Sequence, residues 1–122
     1  MKKLMMAALA VSFLLVGEDA LAAKPGELVL SQWTDGFWYP ARVAEVKKGR
    51  VLVSYYDGYV GTQPKAKIKP FNWKVGSKIQ CNWKAGGIYY SGKIHKKKVE
   101  WIHIKYDDGD EEKTGIGRCR VR

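Results

Sequence analysis

The sequence lacks the short motifs that mark the common classes of enzyme. It contains no G-x-S-x-G nucleophile elbow, no H-E-x-x-H pair and no Gly-rich phosphate-binding loop. Its two histidines, His95 and His103, fall on outward positions of predicted strands, where isolated histidines seldom act in catalysis. We therefore expect no catalytic residues and no cofactor, and an enzyme is the least supported class of function.

Long hydrophobic runs are also missing, except at the start of the chain. The run from Leu4 to Val16 follows a basic segment, Met1 to Lys3, and precedes the A-x-A signal Ala20-Leu21-Ala22. This layout is typical of a secretory signal peptide, and the run is short for a membrane-spanning helix. We expect residues 1–22 to be removed as a signal peptide. The mature protein would then be periplasmic or secreted, without stable insertion in a membrane.

Cysteine is scarce, since only Cys81 and Cys119 are present. An even number of cysteines in an exported protein predicts a disulfide. The alternative is a metal site completed by the two histidines, but the C-x-x-C and H-x-x-x-H spacings of structural zinc loops are absent. The acidic run Asp107 to Glu112 lacks the spacing of a calcium loop, and we expect it to be a solvated hairpin tip. No metal site is predicted.

Acidic residues are too few to balance the basic ones. The chain has 22 Lys and Arg against 12 Asp and Glu, a net charge of +10, which favours anionic partners such as nucleic acid or a cell-envelope polymer. The densest basic surface is expected at Lys93, Lys96, Lys97, Lys98 and Lys105. Basic strands with interleaved aromatic rings bind nucleic acid, but a charged outer face also serves solubility. The sequence leaves both interpretations open.

An aromatic strand pattern is present twice. The segment WYPARV, residues 38–43, returns as YYSGKI, residues 89–94, and the two copies follow Trp33 and Trp83. After each copy comes a second strand-like run that ends in a Tyr followed shortly by Asp-Gly. Two copies about fifty residues apart argue for tandem domains rather than a solenoid, which needs more repeats.

Each copy is predicted to be a small β-barrel. No stripe of helical period follows the signal segment. Instead, short apolar or alternating runs are separated by Gly, Asp-Gly and Lys-Lys-Gly turns. We predict an all-β chain of two tandem five-stranded SH3-like barrels, residues 23–70 and residues 71–122. Phe71 and Trp73 in the joining segment are expected to lie in or near the interface.

Strand alternation predicts which side chains point into each barrel. One set takes the inward positions: Tyr39, Ala41 and Val43 in the first copy, and Tyr90, Gly92 and Ile94 in the second. The other set points away in the first copy: Trp38, Pro40 and Arg42.

The repeat also supports the disulfide. Cys81 matches Ser31 in the first strand of the other copy, and Cys119 matches Ile68 in its last strand. The first and last strands are neighbours in SH3-like barrels, so the two cysteines can pair. Only the second copy would carry this bond.

The order of residues in each copy resembles that of Tudor and agenet domains of the Royal superfamily. Gly is followed by Trp, a short acidic or Gly turn, Tyr-Pro-Ala-x-Val, and Val-x-Val-x-Tyr-x-Asp-Gly. The similarity covers about Gly26 to Pro70 and Gly76 to Arg122. The resemblance implies bent five-stranded barrels that bind ligands rather than catalyse. Many such domains hold a methylated Lys or Arg in an aromatic cage, and others bind nucleic acid or serve as scaffolds.

The resemblance implies a candidate cage in each copy. The matching positions are Trp33, Tyr39, Tyr55 and Asp57 in the first copy, and Trp83, Tyr90, Tyr106 and Asp108 in the second. The family's fourth aromatic position falls on Gly58 and Gly109, and Tyr59 can replace it in the first copy by a shift of one residue. Each ring facing a cation contributes roughly 0.5–2 kcal/mol. The alternative is that these rings only fill the small cores.

Taken together, the sequence favours a non-enzymatic binding module. Its aromatic-lined barrel mouth would recognise a cationic or methylated basic side chain on a protein or peptide partner. Two rival hypotheses remain: a basic surface that binds nucleic acid or an anionic cell-envelope polymer, and a purely structural or assembly module. The oligomeric state is not predicted.

Overall fold

The computed structural model describes residues 23–122, and the predicted signal peptide, residues 1–22, lies outside the described residues. The described chain forms ten β-strands and three single-turn 3-10 helices. None of the helices in this part of the chain is long and apolar enough to cross a membrane.

The first five strands form one antiparallel sheet. They are β1 (Leu28–Gln32), β2 (Trp38–Lys47), β3 (Arg50–Tyr55), β4 (Val60–Pro64) and β5 (Ile68–Pro70). A 3-10 turn, Lys65–Lys67, connects the last two. The spatial order is β4-β3-β2-β1-β5, so the first and last strands are neighbours.

The second five strands repeat this arrangement. They are β6 (Lys78–Asn82), β7 (Tyr89–Lys98), β8 (Trp101–Tyr106), β9 (Glu111–Gly115) and β10 (Cys119–Arg120), with 3-10 turns at Trp83–Ala85 and Ile116–Arg118. Their order is β10-β6-β7-β8-β9. A β-bulge follows Val43 in β2 and Ile94 in β7, the same place in each copy, and bends the longest strand. The predicted all-β fold of two tandem five-stranded barrels is confirmed.

The buried side chains fall into two clusters. The first barrel's core consists of Ala23, Val29, Ala41, Val43, Val51, Val53, Tyr55 and Ile68. The second core consists of Ile79, Cys81, Ile94, Ile102, Ile104, Tyr106, Ile116 and Cys119, together with Leu30 and Trp73. Most of these residues alternate along their strands with exposed ones, as a small barrel requires. Leu30 is the exception, because it comes from the first sheet.

Strand β1 is therefore buried on both of its faces. Val29 packs in the first core and Leu30 in the second, and their side chains are 1% and 0% exposed. The positions that match Leu28 and Leu30 in the second copy hold Lys78 and Gln80. The first copy alone thus has a second apolar face, and this face lies against the other barrel.

The outer face of β2 also lies against the second barrel. Pro40 is fully buried, although alternation places it outside the first barrel. Trp38 packs on the second core and exchanges two backbone hydrogen bonds with Val121, of 2.7 and 3.0 Å. Arg42 forms an ion pair with Glu100, Nη2 to Oε2 2.5 Å. The side chains predicted to point away from the first barrel therefore form much of the contact between the barrels.

The joining segment contributes to the same contact. Trp73 is 5% exposed and belongs to the second core, and Phe71 packs beside it with ring centroids 5.2 Å apart. The division of the chain at residue 70 stays a prediction. Trp73 lies in the second core, as the division expects, but Leu30 of the first half lies in that core as well.

The predicted disulfide is present between Cys81 and Cys119. The two residues face each other across β6 and β10, with a Cα–Cα distance of 4.0 Å, and both are fully buried. The bond uses both cysteines of the alternative metal site. Within residues 23–122, no three His, Cys, Asp or Glu side chains are placed to hold a metal ion. In the first copy the matching Ser31 instead hydrogen-bonds to Tyr55, Oγ to OH 2.6 Å.

Replacing both cysteines, Cys81→Ala with Cys119→Ala, should lower the free energy of unfolding by about 3–4 kcal/mol, because the bond limits the unfolded chain across a separation of 38 residues. Urea unfolding followed by tryptophan fluorescence measures this change. Wild-type protein in reductant is the control and should match the variant. A variant as stable as the oxidised wild type would contradict the expectation.

Candidate functional site

Three aromatic rings surround the mouth of the first barrel. Trp33 follows β1, Tyr55 ends β3, and Tyr59 precedes β4. The ring centroid of Trp33 lies 5.5 Å from that of Tyr55 and 5.2 Å from that of Tyr59, both edge to face, and the two tyrosines are 6.1 Å apart. They border a cavity of about 270 Å³, which Tyr39 and Asp57 also line. The structure thus brings together all five residues predicted for the first cage.

A second carboxylate, Asp35, also lines this cavity. Tyr39 donates its hydroxyl hydrogen to Asp35 Oδ2 at 2.6 Å. Burial, followed by this hydrogen bond, raises the pKa of Tyr39 to about 12, so the phenol stays neutral and remains the donor. The backbone N–H of Phe37 donates to Asp35 Oδ1 at 2.9 Å. Sequence reasoning did not select Asp35, although the acidic turn after Trp33 was a signal for it.

The ring of Tyr59 reaches the mouth because of two local features. Asp57 Oδ1 accepts the backbone N–H of Tyr59 at 3.0 Å, and Gly58 turns the chain with a φ of +94° that favours glycine. Beyond the turn, Gly61 leaves the space that the ring fills. A Cβ at that position would lie 2.6 Å from Cε2 of Tyr59. Only a residue without a side chain, glycine, at position 61 therefore lets the Tyr59 ring take this place.

The second mouth holds its predicted residues in a smaller space. Trp83 and Tyr90 have centroids 6.4 Å apart, and Tyr90 and Tyr106 are 6.5 Å apart. With Asp108 they line a cavity of about 90 Å³. One face of Trp83 already carries the ammonium group of Lys84, with Nζ 4.8 Å from the ring centroid. One face of this ring is therefore already covered by the chain itself.

The second mouth lacks the third ring, because Asp110 stands where the first copy has Tyr59. A further difference is Glu112. It occupies the position that matches Gly61, opposite Ile104 as Gly61 is opposite Val53. Its carboxylate accepts hydrogen bonds from Tyr106 OH at 2.7 Å, from the Arg118 guanidinium, and from the backbone N–H of Lys84 at 3.0 Å.

These contacts change the acid–base behaviour of both partners. Burial would raise the pKa of Glu112, but the hydrogen bonds from Tyr106 and Arg118 outweigh it and hold that pKa below its ordinary value of 4.5. Burial and the same carboxylate raise the pKa of Tyr106. The prediction that the whole acidic run is a solvated hairpin tip is wrong for Glu112, whose side chain is 14% exposed.

The second barrel also builds one side of the first mouth. Tyr89 and Gly117 line the first cavity, beside Tyr56. Gly117 lies so close to Tyr56 that a Cβ on the glycine would be 2.4 Å from Cβ of the tyrosine. Residues far apart in the chain thus complete the site. These residues were not predicted from the sequence, because strand alternation identifies outward side chains but not the residues that pack against them.

Arg120 joins the two barrels at this point. Its guanidinium carbon lies 3.8 Å from the ring centroids of both Phe37 and Tyr89, so the group stacks between them. Arg120 Nη1 donates to Tyr39 OH at 3.1 Å. Through Tyr39, the second barrel helps to orient the carboxylate of Asp35.

The predicted basic surface is separate from both mouths. Lys93, Lys96, Lys97, Lys98 and Lys105 lie on β7 and β8. All are exposed except Lys97, which is half-buried with its Nζ 5.5 Å from the Phe71 ring. None of these lysines lines either aromatic cavity.

Comparison with known sequences finds short matches. No protein-family model matches the chain. The chain is 40% identical over 53 residues to PHD finger protein 20-like protein 1 of Gallus gallus, covering 43% of this chain and 7% of that protein. The Rattus norvegicus protein of the same name gives 40% over 53 residues, covering 43% and 5%. The matched segment is therefore a small part of these much longer relatives.

Comparison with solved structures shows the fold. The tandem tudor domains of Crb2 match with a TM-score of 0.54 and 18% identity, covering 82% of this chain and 81% of that one. The AGD34 segment of Arabidopsis thaliana AGDP1 gives a TM-score of 0.45 and 18% identity, covering 88% and 86%. At 18% sequence identity, the similarity to Crb2 is evidence for the fold alone. The chain consists of two tandem SH3-like barrels and shares this fold with the Crb2 tandem tudor domains.

The substitution Gly61→Ala should push the Tyr59 ring out of the first mouth. The ring is half-exposed, 51%, so it can move outward with little loss of stability. In NMR spectra, the contacts between the Trp33 and Tyr59 rings should disappear. The control is Gly115→Ala in β9, where a Cβ meets only the Glu100 carbonyl oxygen at 3.9 Å. Unchanged ring contacts in Gly61→Ala would contradict the role given to this glycine.

The Glu112 carboxylate should make stability depend on pH. Because its pKa is lowered in the folded state, it stabilises the protein above its unfolded-state pKa, and this contribution is lost as the pH falls through the folded-state pKa. We expect Glu112→Gln to cost roughly 1–3 kcal/mol at neutral pH and almost nothing in acid. Urea unfolding across a pH series tests this expectation.

A matched control for this pH series is Glu45→Gln. The Glu45 carboxylate is exposed and lies 3.9 Å from Lys47 Nζ, so its removal should change stability little at any pH. If the cost of Glu112→Gln were the same at neutral and acid pH, the charge of Glu112 would not be the cause.

Proposed function

We propose that this protein is a non-enzymatic binding module that holds a methylated lysine or arginine side chain of a protein partner. The site is the mouth of the first barrel. The observation that carries the proposal is the arrangement of Trp33, Tyr55 and Tyr59 around a cavity of about 270 Å³, with Asp35 and Asp57 at its edge.

The chemistry of this mouth suits a cation. Ring faces attract a cation through their quadrupole by roughly 0.5–2 kcal/mol each. The protein as a whole has a net charge of +10, yet two carboxylates, Asp35 and Asp57, line this one cavity. Arg120 Nη1 lies 3.8 Å from Asp35 Oδ2, so Asp57 is the carboxylate that leaves negative charge at this mouth and supports recognition of a positively charged group.

Methylation suits the mouth better than a bare ammonium group. Methyl groups spread the positive charge over an apolar surface, which three aromatic rings can cover without breaking strong hydrogen bonds to water. A side chain of this kind on a peptide would enter the mouth from solvent, because Tyr59 remains half-exposed. The resemblance to Tudor and agenet domains supports the same ligand class.

The second mouth is not proposed as a site. Its cavity is about 90 Å³, Glu112 is already paired with Arg118, and Lys84 covers a face of Trp83. One binding site for each chain is therefore the expected stoichiometry.

The test is an NMR titration with two kinds of probe, tetramethylammonium ion and short peptides that carry one lysine in each methylation state. Binding should shift the ring signals of Trp33, Tyr55 and Tyr59, and should be stronger for methylated than for unmodified lysine. Trp33→Ala and Tyr59→Ala should each weaken binding by roughly 2- to 30-fold. Trp83→Ala is the matched control and should leave the affinity unchanged.

Two outcomes would overturn the proposal. An absence of shifts at the three rings would leave the aromatic residues with a structural role only. Equal losses for Trp33→Ala and Trp83→Ala would place the site elsewhere. Thermal unfolding of each variant separates a loss of binding from a loss of folding.

A further inference from the structure

The outer face of the second barrel carries an ordered basic surface. Residues that pair directly across antiparallel strands have side chains on the same side of the sheet. Three such rows cross β7, β8 and β9: Lys98, Trp101 and Gly115; Lys96, His103 and Lys113; Lys93, Lys105 and Glu111. We call these nine residues the basic face.

Trp101 presents an open ring at one end of the basic face. Its side chain is 61% exposed. The residue across from it on β9 is Gly115, which has no side chain to cover the indole. A groove of about 460 Å³ runs between the ring and the lysines of the neighbouring row, Lys96 and Lys113. An exposed indole beside a groove is a surface on which a flat group can stack.

The lysines of the basic face have no acidic partners of their own. Among the ion pairs of residues 23–122, none involves a lysine of this face. Glu111, within the face, lies opposite Lys105 but pairs with His103 at 2.7 Å, and Glu100 pairs with Arg42 at 2.5 Å.

The positive charge of this face acts on a neighbouring group, His95. The pKa of His95 is lowered first by the charge of Lys105, then by desolvation, and further by His103 and Lys96. A carboxylate, Glu111, opposes this effect more weakly. The local field therefore disfavours another positive charge and favours an anion.

The first barrel shows that the fold does not require these residues. At the matching positions of the repeat, Lys96, His103 and Lys113 are replaced by Glu45, Leu52 and Thr62. The matching position of Trp101 holds Arg50. The same groove exists there and is also lined by Lys47, Lys48 and Arg50, but it has an acid and no ring. The exposed ring and the basic middle row, Lys96, His103 and Lys113, are thus features of one copy and not of the architecture.

We propose that the basic face binds single-stranded nucleic acid, with one base stacked on Trp101 and adjacent phosphates held by Lys96, Lys98 and Lys113. Stacking on an aromatic ring needs an unpaired base, which a duplex does not offer. Every base has a flat face, so the binding should be largely independent of sequence. An acidic protein segment would use the lysines but would gain little from an exposed indole between them.

Fluorescence anisotropy with a labelled oligo(dT) over a salt series tests this proposal. Trp101→Ala should weaken binding by about 5- to 150-fold, the range for loss of one stacked base, without changing the salt dependence. Lys96→Ala and Lys98→Ala should each reduce the slope of log affinity against log salt by about 0.7, as expected for one phosphate contact to a single strand.

The repeat provides a matched control. Lys47→Ala removes the same charge at the position equivalent to Lys98, on the opposite barrel, and should leave the affinity and the salt slope nearly unchanged. Tetramethylammonium or methyl-lysine binding at the first mouth should also be unaffected by Trp101→Ala, because the two surfaces share no residues.

Three results would overturn this inference. The first is an absence of oligo(dT) binding at low salt. The second is binding that Trp101→Ala does not weaken although the variant unfolds at the wild-type temperature. The third is competition by polyglutamate as effective as that by oligo(dT), which would assign the face to an acidic protein partner.

Discussion

The contact between the two barrels rests on strand β1, which is buried on both faces. Val29 packs into the first core and Leu30 into the second, so neither core is complete without this strand. Burying each such side chain is worth about 1.5–3 kcal/mol, and Trp73 adds a larger apolar surface to the same contact. This packing fixes how the barrels are oriented. As a result, the turn containing Gly117 and the end strand containing Arg120 lie beside the first mouth.

The two mouths differ at two neighbouring positions, because Tyr59 and Gly61 of the first copy are matched by Asp110 and Glu112 of the second. Gly61 in the first copy gives the Tyr59 ring room to line the mouth, and Glu112 in the second copy fills the matching place with a paired carboxylate. A similar set of rings can therefore form an open cavity or a closed, internally paired one. The repeat conserves the barrel but does not by itself determine which mouth is open, since that depends on residues outside the repeated aromatic pattern.

The sequence predicted the fold and the disulfide better than the site. Alternation and turn residues identified the barrels, and the match of Cys81 and Cys119 to neighbouring strands identified their bond. Predicting what covers an outward face needs long-range information: the hydrogen bond from Arg120 to Tyr39 joins residues 81 apart. One local signal was present. Leu28-Val29-Leu30 is continuously apolar, whereas the matching Lys78-Ile79-Gln80 alternates. A strand that is apolar on both faces is typically covered on both faces.

The disulfide also bears on the first mouth, although it lies in the other barrel. Cys119 precedes Arg120 in β10, and Cys81 follows Gln80 in β6. Gln80 accepts the Nε–H of Arg120 at 3.0 Å, so the bond between the cysteines holds both ends of that contact in register. Arg120 stacks between Phe37 and Tyr89 and donates to Tyr39. The disulfide of the second barrel therefore also helps to hold side chains of the first barrel, which has no disulfide. The second copy can thus close its own mouth and still act as a fixed support for the mouth of the first.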